Sequence, residues 1–355
     1  MTPFGIAGRA IGPGHPCFVI AEAGVNHNGD VQLAIDLVHA AKDAGADAVK
    51  FQTFKAESLV TESGRKALYQ REYATDLSSQ RSLLQKLELP FEAFARLKRE
   101  AERLGLVFLS TPFDEESARY LRSLNVAAYK IGSGDLTNLP LLEVVAGFRK
   151  PVILSTGMAT INDVHDAADV LEAAGLGGTS LALLHCVSCY PAPADQTNLL
   201  AMDAMRAAFE VPIGLSDHST GTTIAIAAAA LGANIIEKHL TLDPLMDGPD
   251  HASSLESLEF ASMVRGIRRV EQALGDGIKR VMPCETDLVV AARRSWVATR
   301  VLEPGMRLVA DDLVLKRPGN GLTARDIAGL IGRRLHKGLK IDEQITWDHL
   351  EKEPR

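Results

Sequence analysis

PVILSTG (Pro151–Gly157) and SLALLHCVS (Ser180–Ser188) are two short apolar runs, and each ends in polar residues. Between them, Thr160 to Ala174 has the apolar spacing of an amphipathic helix, and the pattern stops at Gly175. Parallel strands need a crossover of this kind, because their ends lie too far apart for a tight turn. This stretch therefore predicts a strand–helix–strand unit of a parallel sheet.

The same unit recurs through the first three quarters of the chain. The other predicted strands are CFVIAEAGV (Cys17–Val25), AVKFQTF (Ala48–Phe54), LVFLSTP (Leu106–Pro112), AAYKIGSG (Ala127–Gly134), PIGLSDHS (Pro212–Ser219) and IIEKHLT (Ile235–Thr241). Eight such units predict a (β/α)8 TIM barrel of the α/β class. A doubly wound open sheet is the alternative, and it fits less well because no strand is followed by a glycine-rich dinucleotide loop.

Two regions depart from this repeat. Ser58 to Glu88 is too long for a simple crossover, and we interpret it as an insertion with its own helix. Near the end of the chain, short strand-like runs with turns replace the helical pattern, as in SWVATRVL (Ser295–Leu302). We predict a barrel over residues 1–280, a linker over 281–290 and a small β-rich domain over 291–355.

Bulk composition argues against several classes of partner. The 355 residues carry a net charge of −7, which disfavours nucleic acid and anionic membranes, since both need a basic face. The sequence has neither a membrane span nor the apolar core of a signal peptide, so we interpret the protein as cytoplasmic. The four cysteines fit reduced thiols, and the C-x-x-C at Cys186 and Cys189 lacks the second pair of a zinc site.

Polar and charged residues follow almost every predicted strand. In this fold, chemistry takes place at the carboxyl ends of the strands. The candidate side chains there are Glu22, Asn26, Lys50, Gln52, Ser110, Thr111, Lys130, Ser133, Asp135, Ser155, Thr156, His185, Ser188, Ser216, Asp217, His218, Glu237, Lys238 and His239. Such residues at eight strand ends in succession predict a charged pocket.

His218 and His239 are candidate metal ligands. Side chains alternate along a strand, so His218 shares a face with Ser216, and His239 shares a face with Glu237. The two strands are predicted neighbours, about 4.8 Å apart, so the two imidazoles could share a cation that also binds water and substrate oxygens. Mn²⁺ or Mg²⁺ suits such a site. The alternative is two hydrogen-bonded core histidines.

Thr111, Lys130, Ser133 and Ser155 indicate an anion site on strands three to five. An ammonium group, hydroxyl donors and backbone amides exposed by glycine are what a phosphate needs. The alternative for any single hydroxyl is an ordinary cap in a strand–helix turn.

At these strand ends the sequence resembles the sialic-acid synthase family, which makes N-acetylneuraminate, legionaminate and pseudaminate. The matching motifs are AEAGVNHNG (Ala21–Gly29), VKFQT (Val49–Thr53), STPFD (Ser110–Asp114), YKIGSGDLTNLPLL (Tyr129–Leu142), LSTGM (Leu154–Met158), HCVSCYPAP (His185–Pro193), GLSDHS (Gly214–Ser219), EKHLT (Glu237–Thr241) and GPDHASS (Gly248–Ser254). LKRPGNGL (Leu315–Leu322) resembles the family's small antifreeze-like SAF domain.

The resemblance implies that phosphoenolpyruvate condenses with an N-acyl mannosamine-type aldehyde and water, giving a nonulosonic acid and phosphate. The catalytic positions it implies are Glu22, Asp135, His218 and His239, of which the two histidines hold a divalent metal. The phosphoenolpyruvate positions are Thr111, Lys130, Ser133, Ser155 and Ser216. The sugar positions are Lys50, Gln52, Ser188, Tyr190, Asp250 and Arg317.

Two details of the resemblance concern specificity and assembly. It implies that Arg317 enters the active site of a second protomer, in a domain-swapped homodimer. Ser188 stands where bacterial N-acetylneuraminate synthases often carry Asn, which changes a pocket wall and leaves the identity of the sugar open.

Two rival functions remain at this point. One is a Schiff-base pyruvate aldolase that uses Lys50 or Lys130, whereas Lys238 is predicted to point away from the pocket. The other is a carbohydrate- or ice-binding module without catalysis, which the small C-terminal domain alone would support.

Overall fold

The structure, a computed structural model, describes residues 4–66 and 79–352 of the chain. It divides into two compact units, Met1–Gly275 and Asp276–Arg355. Residues 276–280, which the sequence pattern assigns to the barrel, belong to the second unit. The predicted linker contains the start of a helix, Thr286–Ala292.

The strands of the first unit run from the N-terminus to the last barrel helix. They are β1 (Phe4–Ile6), β2 (Arg9–Ile11), β3 (Phe18–Gly24), β4 (Ala48–Thr53), β5 (Val107–Pro112), β6 (Tyr129–Ile131), β7 (Val152–Ser155), β8 (Leu181–Cys186), β9 (Ile213–Asp217), β10 (Ile235–Thr241) and β11 (Leu255–Glu256). Of these, β3 to β10 correspond to the eight predicted strands.

Strands β3 to β10 form a nearly closed parallel barrel. Their order is β5-β4-β3-β10-β9-β8-β7-β6, so β3 pairs with β10 and the seam lies between β5 and β6. The predicted (β/α)8 barrel is confirmed, and the open-sheet alternative is wrong because the first and last strands of the repeat are hydrogen-bonded to each other.

Helices lie between and after the barrel strands in the sequence. They are Val31–Asp43, Ala56–Leu59, Gln80–Leu87, Phe91–Arg103, Glu115–Ser123, Leu139–Ala146, Ile161–Ala173, Ala201–Ala208, Thr223–Ala230 and Ser257–Leu274. Ala56–Leu59 and Gln80–Leu87 lie in the predicted insertion, of which residues 67–78 are outside the described part of the chain.

Local chemistry explains where these helices begin. The carboxylate of Asp30 accepts hydrogen bonds from the amides of Gln32 and Leu33, and Thr160 forms a reciprocal capping box with Asp163. Both devices satisfy amide groups that have no partner within the helix. The Val31–Asp43 helix is followed by Gly45 at a φ of 79°, a conformation that glycine adopts without strain.

The amino-terminal hairpin of β1 and β2 was not predicted. Phe4, Ile6 and Ile11 are fully buried, and they pack with Phe18 and Ile20 of β3 in the apolar lower part of the barrel interior. Three-residue strands are too short to give a periodic signal, so only the tertiary contacts reveal this plug. The lower interior is therefore apolar, and the polar side chains lie at the other end.

The second unit has its own small core. Strands β12 (Ser295–Ala298) and β13 (Leu313–Lys316) pair antiparallel, and a short helix spans Ile327–Leu330. The apolar cluster at its centre consists of Ala298, Leu302, Leu308, Leu313, Leu330, Leu335, Leu339, Ile345 and Leu350. Turns and isolated bridges connect these residues, in agreement with the predicted β-rich character.

Across residues 4–66 and 79–352, every helix is too short or too polar to pass through a bilayer.

Candidate active site

A cavity of about 490 Å³ opens at the carboxyl ends of the barrel strands. Fourteen of the fifteen predicted site residues line it; Arg317 lies in the second unit instead. The fourteen are Glu22, Lys50, Gln52, Thr111, Lys130, Ser133, Asp135, Ser155, Ser188, Tyr190, Ser216, His218, His239 and Asp250. The barrel thus brings side chains from all eight strands into one space.

The floor of this cavity is a row of alternating charges. Lys50 Nζ lies 2.9 Å from Glu22 Oε2 and 3.7 Å from Glu237 Oε2, and Lys130 Nζ lies 3.7 Å from Glu237 Oε1. All four side chains are buried. Buried charges persist only when they are paired, and here each cation has a carboxylate beside it.

Burial and pairing shift the pKa values of this row in different directions. Burial raises the pKa of Glu22, although the Lys50 ammonium group opposes the shift. Burial would also raise the pKa of Glu237, but Lys130 and Lys50 outweigh it and hold the pKa below its usual range. Burial lowers the pKa of Lys130, with Glu237 opposing. Burial thus favours the protonated form of Glu22, whereas the two ammonium groups favour the ionised form of Glu237.

Hydroxyl groups surround the two lysines. Lys130 Nζ donates to Ser155 Oγ at 2.7 Å, Lys50 Nζ donates to Thr111 Oγ1 at 3.1 Å, and Ser216 Oγ donates to Glu237 at 2.8 Å. These contacts bring the predicted phosphate residues of strands three to five next to both cations. The cluster has the donors that an anion requires.

Ser133 and Gly157 complete this end of the cavity. The amide of Gly157 donates to Ser133 Oγ at 2.9 Å, across two strand–helix turns. A Cβ atom on Gly157 would lie 2.3 Å from Ser188 Oγ and 2.8 Å from Ser133 Oγ. This close approach favours glycine at position 157, whose buried amide holds the Ser133 hydroxyl group at the cavity wall.

Asp135 lies above this cluster in a 3-10 turn, Ser133–Asp135. Asn138 Nδ2 donates to its Oδ1 at 3.0 Å. Burial raises the pKa of Asp135, and Asn138 opposes the shift. Asp135 is thus a second carboxyl group in the cavity whose protonated form is favoured by burial.

His218 and His239 lie side by side, with ring centroids 5.5 Å apart. His218 Nδ1 donates to the Val187 carbonyl oxygen at 2.9 Å, so Nε2 is the acceptor nitrogen in the neutral ring. Burial lowers the pKa of His218, but Cys186 and the Val187 carbonyl oxygen outweigh it and raise the pKa overall. The buried His239 Nδ1 has no hydrogen-bond partner, and it lies 3.9 Å from Asp250 Oδ2. Burial, with His218 nearby, lowers the pKa of His239 well below its usual range, so this ring is neutral.

This pair fits the predicted divalent cation. A neutral imidazole and an imidazole oriented by a backbone carbonyl are typical metal ligands. In the parts of the chain that the structure describes, no group of three histidine, cysteine or carboxylate side chains could hold a metal ion. A cation at these histidines would complete its coordination with water and substrate oxygens, as an open Lewis-acid site does.

Asp250 is held beside His239 by a buried network. Asn26 Nδ2 donates to Ser254 Oγ at 2.8 Å, and Ser254 Oγ donates to the Asp250 carbonyl oxygen at 2.6 Å. Asn26 also donates to the Leu240 carbonyl oxygen at 2.9 Å, next to His239. The network connects the start and the end of the barrel, β3 and β10.

One wall of the cavity is apolar. Val25, Phe54, Leu59, Leu84 and Phe113 line it, together with Val60, Leu87 and Met158. Several of these residues belong to the helices Ala56–Leu59 and Gln80–Leu87 of the insertion. The insertion therefore contributes to the apolar wall of the cavity, in contrast to the charged floor.

The cavity also contains Glu237, which the sequence predicted as a polar strand end without a specific role, and Cys186, which was not predicted. Glu237 shares its strand face with His239, as the alternation of side chains predicted. Cys186 lies 3.7 Å from His218 Nδ1 through its sulfur. All four cysteines are free thiols, as predicted.

The chain is similar to known proteins over most of its length. Residues 37–279 match the NeuB family, and residues 293–351 match the SAF domain. The N,N'-diacetyllegionaminic acid synthase of Legionella pneumophila is 43% identical, with 94% of this chain and 95% of that protein covered. The N-acetylneuraminate-9-phosphate synthase of Homo sapiens is 36% identical, with 95% and 94% covered.

A solved structure gives the same result. The crystal structure of N-acetylneuraminic acid synthetase from Leptospira borgpetersenii, in complex with citrate, superposes with a TM-score of 0.71 at 33% identity. The superposition covers 81% of this chain and 95% of the Leptospira protein. The resemblance to sialic-acid synthases is confirmed, and the chain belongs to the NeuB family, with a C-terminal SAF domain.

Proposed function

We propose that this protein condenses phosphoenolpyruvate with an N-acyl mannosamine-type aldehyde and water, releasing a nonulosonic acid and phosphate. The observation that carries the proposal is that one cavity holds two buried lysines on either side of Glu237 and, beside them, the His218–His239 pair. The first group suits an enol phosphate, and the second suits an aldehyde that must be made more electrophilic.

Phosphoenolpyruvate binds at the lysine end in this proposal. Lys130, Ser133 and Ser155 hold the phosphate, with Thr111 and Ser216 around it. Their hydroxyl groups already lie within hydrogen-bond distance of a lysine, a glutamate or a backbone amide. Charged and neutral donors fixed in this way position C3 of the enol for attack.

A divalent cation, Mn²⁺ or Mg²⁺, would be held by His218 and His239, and it would supply Lewis-acid polarisation of the aldehyde oxygen. The chain contributes the orientation of both rings. The Val187 carbonyl fixes the tautomer of His218, and burial keeps His239 neutral.

The proposed reaction needs no oxidant or reductant, because every bond that forms is matched by one that breaks. C3 of phosphoenolpyruvate forms a bond to the aldehyde carbon, whose oxygen gains a proton and becomes a hydroxyl group. Water adds to C2, and the resulting tetrahedral centre loses phosphate by cleavage of the bond between C2 and the phosphate oxygen. Loss of the remaining hydroxyl proton gives the keto acid.

Glu22 and Asp135 are the proposed proton carriers. Burial raises the pKa of both groups, which brings them closer to the operating pH than an exposed carboxyl group. Gln52 Nε2 donates to Glu22 Oε1 at 3.2 Å and so orients that carboxyl group. Lys50 contacts its other oxygen.

The sugar would lie between the histidines and the apolar wall. Gln52, Tyr190 and Asp250 offer polar contacts for hydroxyl groups, and Ser188 leaves more room than a larger side chain. Phe54 and Leu59 offer an apolar surface for the methyl group of an N-acyl substituent.

The second unit has a proposed role in a dimer. We propose that Arg317 of one protomer reaches the cavity of the other protomer in a domain-swapped homodimer, where its planar guanidinium group suits a carboxylate. Mixing an Arg317→Ala variant with a Lys130→Ala variant should restore part of the activity, because one of the mixed sites is intact. Mixtures that stay as inactive as the separate variants would contradict the swap.

The main test is a phosphate-release assay with phosphoenolpyruvate. A panel of N-acyl mannosamine and 2,4-diamino sugars is offered with Mn²⁺, with Mg²⁺ and with EDTA. We expect aldehyde-dependent phosphate release that EDTA abolishes. Borohydride trapping of a pyruvate adduct on Lys50 or Lys130, without phosphate release, would instead establish the Schiff-base aldolase.

A further inference from the structure

We infer that Lys238 and Asp217 form a buried positioning pair that sets the location of His218 relative to His239; the inference rests on the proposed metal site. Neither residue lines the cavity. Lys238 lies between Glu237 and His239 in β10, and Asp217 immediately precedes His218 at the end of β9. Alternation puts both on the strand face opposite the histidines.

The contacts of this pair are short and fully enclosed. Lys238 Nζ lies 2.7 Å from Asp217 Oδ2, and their side chains are 0% and 1% exposed. The same ammonium group donates to the Ser219 carbonyl oxygen. Asp217 Oδ1 accepts from the Ser219 amide at 2.9 Å and from Ser219 Oγ at 2.7 Å.

These contacts act on the residue between them. The pairing of β10 with β9 has its last register partners at Lys238 and Asp217, so His218 lies just beyond the ladder. From there, the chain is tied back to β10 by Lys238 through Ser219, and Asp217 closes a local turn around His218. On the other side, the Ala192 amide donates to the His218 carbonyl oxygen at 2.9 Å. His218 is thereby held from β10 on one side and from the loop that follows β8 on the other.

Energetics favour a positioning role over a stabilising one. Desolvating two charges costs about as much as their attraction returns, so an apolar pair of similar volume usually stabilises a fold equally well. An ion pair differs from an apolar contact in fixing distance and direction. Outer partners that orient metal ligands typically change metal affinity about 10- to 100-fold when they are removed.

The Arg268–Asp47 ion pair, whose side chains are 31% and 19% exposed, is a control elsewhere in the same barrel. Arg268 Nη2 lies 2.8 Å from Asp47 Oδ2, which also accepts from the Val19 amide at 2.9 Å. Val19 and Asp47 lie at the amino-terminal ends of β3 and β4, opposite the cavity. Its loss should lower stability without reaching the histidines.

The experiment measures Mn²⁺ binding to the full chain by calorimetry, together with steady-state kinetics and thermal unfolding. The variants are Lys238→Met, the double variant Lys238→Met/Asp217→Asn, and Arg268→Met. The double variant removes both charges while it keeps an acceptor for the Ser219 amide, so it remains folded even if the single variant, with an unpaired buried carboxylate, does not.

We expect the Mn²⁺ dissociation constant to rise at least about tenfold in the Lys238 variants, with a lower kcat and a KM for phosphoenolpyruvate within about twofold of the wild type. Arg268→Met should bind Mn²⁺ like the wild type. A folded double variant with wild-type Mn²⁺ affinity and kcat would overturn the inference and leave the proposed function intact. A wild-type chain that binds no Mn²⁺ and releases phosphate in EDTA would overturn the proposed metal site, and the inference with it.

Discussion

Both faces of β9 and β10 carry buried polar side chains, but the hydrogen bonding of these side chains differs between the two faces. On the outer face, Lys238, Asp217 and Ser219 satisfy one another within a closed network. On the inner face, His239 Nδ1 is buried without a partner. The residues compared are buried on both faces, so burial alone does not explain the difference.

Polar groups that are paired with each other maintain the geometry of the strands, whereas buried polar groups without a partner are available to bind a ligand. A buried polar atom without a partner costs roughly 1–3 kcal/mol, and folds avoid such atoms unless a ligand will bind them. On the outer face the polar atoms are hydrogen-bonded and this free-energy cost does not arise, whereas on the inner face His239 Nδ1 remains without a partner. Each of the following predictions tests whether this division of roles is correct.

The largest effect is expected from Glu237→Gln. This change removes the charge between Lys50 and Lys130, so both ammonium groups lose a partner and the phosphate end is disordered. We expect phosphate release to fall about 100- to 1,000-fold, the range seen when a preorganised electrostatic group is removed. A steady-state assay measures it, with Glu172→Gln on an outer helix as the control. A decrease in the rate of phosphate release of less than fivefold would mean that Glu237 does not contribute to binding or catalysis in the cavity.

An intermediate effect is expected from Asp250→Asn on the pH dependence of stability. Burial, followed by the nearby Glu22 carboxylate, raises the pKa of Asp250 from its usual 3.8 to about 7. The folded chain therefore binds more protons than the unfolded chain between these values, and stability declines as pH rises through this window. Asparagine cannot ionise, so the variant should lose this decline.

Urea unfolding in EDTA at pH 5 and pH 8 measures this effect. The free energy of unfolding of the variant, relative to the wild type, should increase by a few kcal/mol at the higher pH, since each pKa unit corresponds to about 1.4 kcal/mol. An identical pH dependence in the two proteins would show that Asp250 is already ionised at pH 5.

The smallest effect is expected from Glu102→Gln on the outermost surface. Glu102 is 52% exposed and pairs with Lys98 one helical turn away. Exposed pairs of this kind contribute about 0.5 kcal/mol or less, because water screens them. Thermal unfolding and the phosphate assay should both give wild-type values. A clear loss of activity would contradict this prediction and show that a surface residue of an outer helix affects the cavity.

The barrel and most of the cavity followed from local patterns. Short apolar runs ending in polar residues identified β3 to β10, and period-two alternation placed His218 with Ser216 and His239 with Glu237 on shared faces. Those patterns depend only on neighbouring residues, so one sequence is enough to read them. The same alternation correctly predicted that Lys238 points away from the cavity.

Other features needed contacts between distant parts of the chain. The plug of Phe4, Ile6 and Ile11 forms from strands too short for periodicity. The apolar wall depends on where the insertion helices fold back over the barrel. Glu237 was visible as a polar strand residue, but its place between Lys50 and Lys130 depends on three strands that are far apart in sequence.

By itself, the sequence determined the barrel, the identity of the polar strand ends and membership of a synthase family. Only the tertiary structure decided which of those groups pair with each other and which are left for a ligand. The physical reason is that strand alternation is local, whereas the stagger between strands is set by closure of the whole barrel. One residue of slip would exchange the face of Lys238 with that of His239.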